Sequence, residues 1–216
     1  MEIREINRLL VRVHGVRTWR PHHDPISELI AVILSQNTSD TNSSRSFNAL
    51  VGTFGNWNQV ASANVEDIER AIQSGGLSRI KAARIKQILQ LVLQERGNLD
   101  LSFLEVLPIA EAGAWLKKFP GVGPKTVSCV LLFSLGKPVF PVDTHVFRVA
   151  KRLGLIGNGV SAEKAHEILG KMVPEEDVYQ LHMNMVEHGR QVCKAHKPNC
   201  AECILNQGCP SRFLEN

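Results

Sequence analysis

Apolar residues return at intervals of three and four along almost the whole chain. Ile26, Ile30, Ile33 and Leu34 mark one stripe, and Ile80, Ile85, Ile88, Leu89 and Val92 mark another. Such spacing places these side chains on one face of a helix, and no segment alternates as a half-buried strand would. The pattern predicts an all-α fold. Glycine and proline punctuate it at Gly52, Gly55, Gly75-Gly76, Gly97, Pro108, Gly136-Lys137-Pro138, Gly157-Asn158-Gly159 and Pro174, which implies roughly ten helices of ordinary length. Arg20-Pro21-His22-His23-Asp24-Pro25 reads as a connection from a first short helix to the main array, with its paired histidines expected to be solvated rather than metal-binding. Two helical domains are expected: residues 25–137, and a second domain of residues 1–24 with 138–216. No repeat of solenoid period interrupts this division.

Composition changes the picture little. With 216 residues and 44% hydrophobic content the chain supplies its own core, and a formal charge of +4 admits nucleic acid without demanding it. Leu29–Leu34 is among the longest apolar runs and is far too short to span a bilayer. The N-terminus mixes acids with bases and lacks the apolar core of a secretory signal. These features place the protein in the cytoplasm, near the nucleoid if it binds DNA, where five cysteines are expected as ligands or core thiols rather than disulfides.

The run Phe119-Pro120-Gly121-Val122-Gly123-Pro124-Lys125-Thr126 separates a helical segment around Trp115 from the apolar helix beginning near Val127. It forms a hairpin between two helices. Gly121 and Gly123 permit a turn other residues resist and leave the backbone bare, while Pro124 opens the next helix, whose free N–H groups suit a phosphate. A plain tight turn would explain the two glycines alone. Lys125 argues for more, because a cation in the first turn opposes the helix dipole. That position suits either a neutral, nucleophilic amine or a phosphate-binding ammonium, and the residues leave the two open. Eighteen residues further on, Asp143 stands just before an amphipathic helix bearing Val146, Val149, Ala150 and Leu153, the place of an N-cap.

The last constellation is Cys193-x6-Cys200-x2-Cys203-x5-Cys209, four thiols within 17 residues. A shared metal centre is the natural reading, and the spacing fits either tetrahedral zinc or an iron-sulfur cubane. Lys194, His196 and Lys197 lie between the first two ligands, in a loop that would show cations to a phosphate backbone. Cys129, alone in its apolar helix, reads as a core thiol. Arg79, Lys81, Arg84 and Lys86 enrich one helix with cations that could approach phosphates, though such a set is usually just a solvated face.

Taken in order, Leu34-Ser35-Gln36-Asn37-Thr38-Ser39-Asp40, the Gly-Val-Gly-Pro-Lys-Thr hairpin, Val142-Asp143-Thr144-His145 with Phe147-Arg148, and His188-Gly189-Arg190 followed by the cysteines resemble the endonuclease III family of helix-hairpin-helix DNA glycosylases. The resemblance runs from about Pro25 to the last cysteine. It implies a six-helix barrel with the hairpin and a helical iron-sulfur domain, with a DNA cleft between them. It also implies a monomer acting on double-stranded DNA with damaged bases or abasic sites, and a [4Fe-4S] cluster on Cys193, Cys200, Cys203 and Cys209. Lys125 falls on the family's attacking lysine and Asp143 on its aspartate, so the implied activity is release of oxidised or ring-saturated pyrimidines followed by β-elimination. Leu77 falls on the family's wedge between bases. Asn37, with Gln36 before it, stands where the family has a gap-filling glutamine, and His145 falls near the lesion pocket. A more distant resemblance to plant 5-methylcytosine glycosylases, through residues 35–40 and 140–144, implies ancestry rather than substrate. Two other activities fit less well: a monofunctional glycosylase for alkylated or mismatched bases, which Lys125 disfavours, and a non-catalytic DNA-binding module, which would have no use for Lys125 and Asp143 together.

Overall fold

The computed structural model describes residues 1–213, which carry eleven α-helices and no strand. The chain divides into two compact units, Pro21–Leu135 and a second that joins Met1–Arg20 to the residues from Gly136 on.

The Pro21–Leu135 unit is built around α2 (Pro25–Ser35), which packs against α3 (Asp40–Phe54) and α8 (Pro124–Leu135), while α4 (Trp57–Ser62) and α5 (Val65–Ala71) lie on α6 (Ser78–Arg96) and α7 (Ile109–Lys117) lies on α8. Local chemistry starts these helices. Asp24 accepts from the Ser27 amide at 3.1 Å with Pro25 behind it in the first turn, and Ser39 accepts from the Asn42 amide at 3.3 Å. Gly97, at φ +75°, ends α6 in the left-handed cap that favours glycine. Nine of the eleven residues of α2 are buried, which is why its sequence is apolar nearly all round. Leu29, Ile30, Ile33 and Leu34 meet Ile85, Ile88 and Leu89 of α6 and Val130 and Leu131 of α8 in a core with no exposed surface on any of them. Burial of each such side chain contributes about 1.5–3 kcal/mol. The paired histidines are not simply solvated: His22 stacks on Phe133 at 4.7 Å and His23 lies 5.0 Å from Phe47, because flat rings at the surface still gain by covering apolar ones.

In the other unit α11 (Val178–Gln191) packs against α1 (Ile3–His14) and α9 (Thr144–Arg152), with α10 (Ala162–Met172) between them in sequence. Ile6, Leu10, Val146, Leu181 and Met185 form its fully buried centre. Beyond α11 the described chain has no α-helix, only short 3-10 turns at Cys200–Glu202, Asn206–Gly208 and Pro210–Phe213. No helix of the described residues is long and apolar enough to cross a membrane.

Candidate active site

The hairpin between α7 and α8 is anchored by Phe119 and Val122, both buried, with Trp115 edge-on to the Phe119 ring at 4.8 Å. Gly121 has φ +74°, and a Cβ there would lie 2.3 Å from Arg84 Nε, so conformation and space both require glycine. Gly123 is different: nothing lies within 4 Å of where its Cβ would stand, which leaves its backbone open. Lys125 follows in the first turn of α8, half-buried. None of the ion pairs among the described residues includes it. Its acidic neighbour is Glu28 of α2, only 6% exposed. Burial raises the Glu28 carboxyl from the ordinary 4.5 to about 7 against the opposing attraction of Lys125. A lone carboxylate inside the apolar run Ile26-Ser27-Glu28-Leu29-Ile30 was the available signal for Glu28, and patterning alone passed over it.

Three loops of this unit are tied to one helix. Gln36 donates through Nε2 to the Gly121 carbonyl at 3.1 Å and accepts through Oε1 from Arg84 Nη1 at 2.8 Å. Asn37 beside it is exposed, with φ +53°. Leu77, at φ +52° and 51% exposed, sits on the turn that starts α6. The cationic face expected on α6 needs correcting. Lys81 is 2% exposed, its ammonium donating to the carbonyls of Leu34 at 2.7 Å and Gly75 at 2.9 Å, and Arg84 is bound to Gln36. A buried ammonium is tolerated where carbonyls at the ends of neighbouring helical segments have no other donor, and burial pulls its pKa down. Carbonyls left over by the fold cannot be counted from periodicity.

Asp143, in the other unit, is held in place from both sides. The Val142 amide donates to His166 Nε2 at 3.1 Å, and Asp143 Oδ1 accepts from the Val146 amide at 2.7 Å as the N-cap of α9. One cap bond leaves its second oxygen with acceptor capacity to spare. His145 packs against Gly189 of α11, where a Cβ would stand 2.9 Å from its own. Its Nδ1 lies 3.1 Å from Arg148 Nη2, and Arg148 donates to the carbonyls of Gly189 at 2.7 Å and Cys193 at 2.9 Å.

Cys193, Cys200, Cys203 and Cys209 all line one cavity, with Val149, Leu153 and His188 on its walls. Arg152 reaches Cys193 Sγ at 3.4 Å and holds the following loop by the carbonyls of Lys194 at 2.6 Å and Ala195 at 3.2 Å. His188 Nε2 lies 3.4 Å from Cys203 Sγ. Burial first, and then the other thiols, push the Cys203 thiol up, and burial likewise raises that of Cys209. Among the described residues no three His, Cys, Asp or Glu side chains are grouped so as to hold a single metal ion. Lys194, His196 and Lys197 are exposed on this loop. Cys129 is buried in α8. Arg152 at the thiols carried no sequence signal that singled it out, whereas His188 stood in the His188-Gly189-Arg190 motif with no role assigned to it.

Residues 30–175, which include the hairpin and the start of α9, match the model of the HhH-GPD superfamily of base excision DNA repair proteins. The chain belongs to that superfamily. Within it the chain is a member of the endonuclease III DNA glycosylases: endonuclease III of Thermotoga maritima is 36% identical over 186 residues, covering 86% of this chain and 83% of that one. The Arabidopsis thaliana candidate DNA glycosylase At3g47830 is 43% identical over 174 residues, 81% of this chain, which spans 59% of that protein's length. The solved structure of a trapped endonuclease III–DNA covalent intermediate superposes with a TM-score of 0.84 at 29% identity, covering 97% of this chain and 95% of that one.

Proposed function

We propose that the chain removes oxidised or ring-saturated pyrimidines from double-stranded DNA and cuts the abasic strand by β-elimination through Lys125. The observation that carries this reading is Lys125 itself, a half-buried lysine in the first turn of α8, outside every ion pair of the described residues, on a hairpin with an open backbone at Gly123. Its acidic neighbour is Glu28, whose carboxyl burial raises to about 7. The amine attacks C1′ of an extruded nucleotide, the bond from C1′ to the base breaks, and the base leaves with its electron pair. Asp143 stabilises positive charge on the sugar through the oxygen its cap bond leaves available. The adduct opens to a Schiff base between Nζ and C1′. Loss of a proton from C2′ then expels the 3′ phosphate, and water releases the lysine. Leu77 enters the stack as a wedge, Gln36 or Asn37 fills the vacated place, and Gly121, Gly123, His145, Lys194 and Lys197 meet the DNA around it.

Four cysteinyl thiols around one cavity, with a guanidinium at Cys193, fit an anionic [4Fe-4S] cluster. Each iron of a cubane takes one thiolate. Tetrahedral zinc, the other centre that four thiolates can hold, would need all four sulfurs at about 2.3 Å from one point. Cys193, Cys200, Cys203 and Cys209 would hold the cluster, which supplies a cross-link for the Lys194–Lys197 loop and takes no part in the sugar chemistry.

Borohydride reduction during incubation with lesion-bearing duplexes tests the first part. The wild type is expected to give a covalent protein–DNA adduct that Lys125→Ala cannot form, with activity down by ~10³-fold or more, the order seen when a covalent nucleophile is removed. Base release without an adduct from any of a panel of oxidised, alkylated and mismatched substrates would assign a monofunctional glycosylase instead. For the second part, anaerobic purification is expected to yield a brown protein with broad visible absorption. A colourless product with stoichiometric zinc would overturn the cluster.

A further inference from the structure

Three non-glycine residues among those described have positive φ, and two of them, Asn37 and Leu77, are the exposed tips of loops that converge on one side chain. Such backbone is strained and persists only where the surroundings over-determine it. Here the surroundings are Lys81. Its ammonium binds the carbonyl of Leu34, three residues before Asn37, and that of Gly75, two residues before Leu77. Its own amide donates to the Leu77 carbonyl at 3.0 Å. No ion pair of the described residues includes it. An apolar side chain could fill the same buried volume without the desolvation that an ammonium suffers, so the charge is retained for what it holds. Arg84, three residues on and hence on the same face of α6, carries the link further: it binds Gln36, which binds the Gly121 carbonyl.

We infer that Lys81 is a positioning residue that couples the Gln36-Asn37 loop to the Leu77 turn, so that the two enter the DNA stack as one device, with Arg84 joining that device to the hairpin before Lys125. This inference rests on the functional reading above for the contact with DNA, but not for the coupling itself. An extruded base must be displaced and its place filled in one event; a preformed abasic site has no base to displace. Loss of the coupling therefore falls on base release and spares strand cutting at an abasic site.

Lys81→Met in the full-length, metal-loaded protein tests this. Amide hydrogen exchange is expected to rise in residues 35–38 and 75–78 together, with residues 85–92 of α6 unchanged. Base release is expected to fall ~10–100-fold, the loss that follows misplacement of about 1 Å, while cleavage of a preformed abasic site stays within about threefold of wild type. Lys81→Gln, which reaches one carbonyl at most, is expected to loosen one segment and lose less. Exchange that rises in one segment alone for Lys81→Met, or equal loss of both activities, would overturn the coupling. So would a failure of both variants to fold, since Lys81 would then serve the core as a whole. A wild-type protein with neither activity would sink the functional reading, and the exchange experiment would still decide whether one ammonium holds both loops.

Discussion

Residues 25–135 and residues 192–213 reach their shapes by different means. In the first, the functional loops hang from helices whose apolar faces interlock, Lys81 and Gln36 donate directly to backbone carbonyls, and Arg84 donates to the Gln36 side chain. In the second, Leu205 is the one fully enclosed apolar side chain among those whose burial is described, the described backbone beyond α11 has 3-10 turns and no α-helix, and four half-exposed thiols line one cavity. A segment that buries so little cannot offset its own ordering entropy. Ligand bonds to a metal centre can do so, as in small metal-folded domains. With the proposed cluster bound, a helical core and a cysteine cage would be two solutions to holding a loop still, and they should fail under different insults.

The largest expected effect separates them outright. Cys203→Ser is expected to abolish visible absorption and bound iron and to make residues 192–213 the first site of limited proteolysis, with residues 25–135 still protected; early cleavage within α2 or α6 would show that the helical unit depends on the cage. Next, Ile88→Ala, at a site with no exposed surface, is expected to lower unfolding free energy by about 2–5 kcal/mol in denaturant titration while iron per folded molecule is unchanged. Third comes Glu28. Its folded form holds a proton more tightly than the unfolded chain, so its stabilising contribution is full below the ordinary 4.5 and is lost as pH rises to about 7. Glu28→Gln should flatten that decline, worth about 3 kcal/mol at 1.36 kcal/mol per pH unit, in melts from pH 4.5 to 8; an unchanged profile would show that the carboxyl is ionised in the fold. The smallest effect is that of Ser39→Ala, which removes the cap of α3 and is expected to cost ~1 kcal/mol, with no change in absorption.

Much of this was legible before any coordinates, and the legible parts have a common character. The stripes at Ile26–Leu34 and Ile80–Val92 do mark α2 and α6, and the hairpin at Gly121–Lys125 does join two helices. Asp143 is a cap as well as a candidate catalytic group. Lys81 was misread as solvated because charge on a helix usually is, and nothing near it in sequence records the carbonyls of Leu34 and Gly75. Glu28 was missed because a single carboxylate in an apolar stretch breaks no period. Arg152 reads as an ordinary cation near the end of α9 until the loop after α11 is folded against it.

The sequence by itself determined what depends on neighbours a few positions apart: where helices start and stop and which face is apolar. Tertiary structure alone decided which polar groups lose water and which partners they find. Lys81 meets a carbonyl 47 residues away, Arg84 a side chain 48 away, and Gln36 a carbonyl 85 away. Hydrogen bonding and desolvation act through space over a few ångströms, whereas helix periodicity and capping act along the chain.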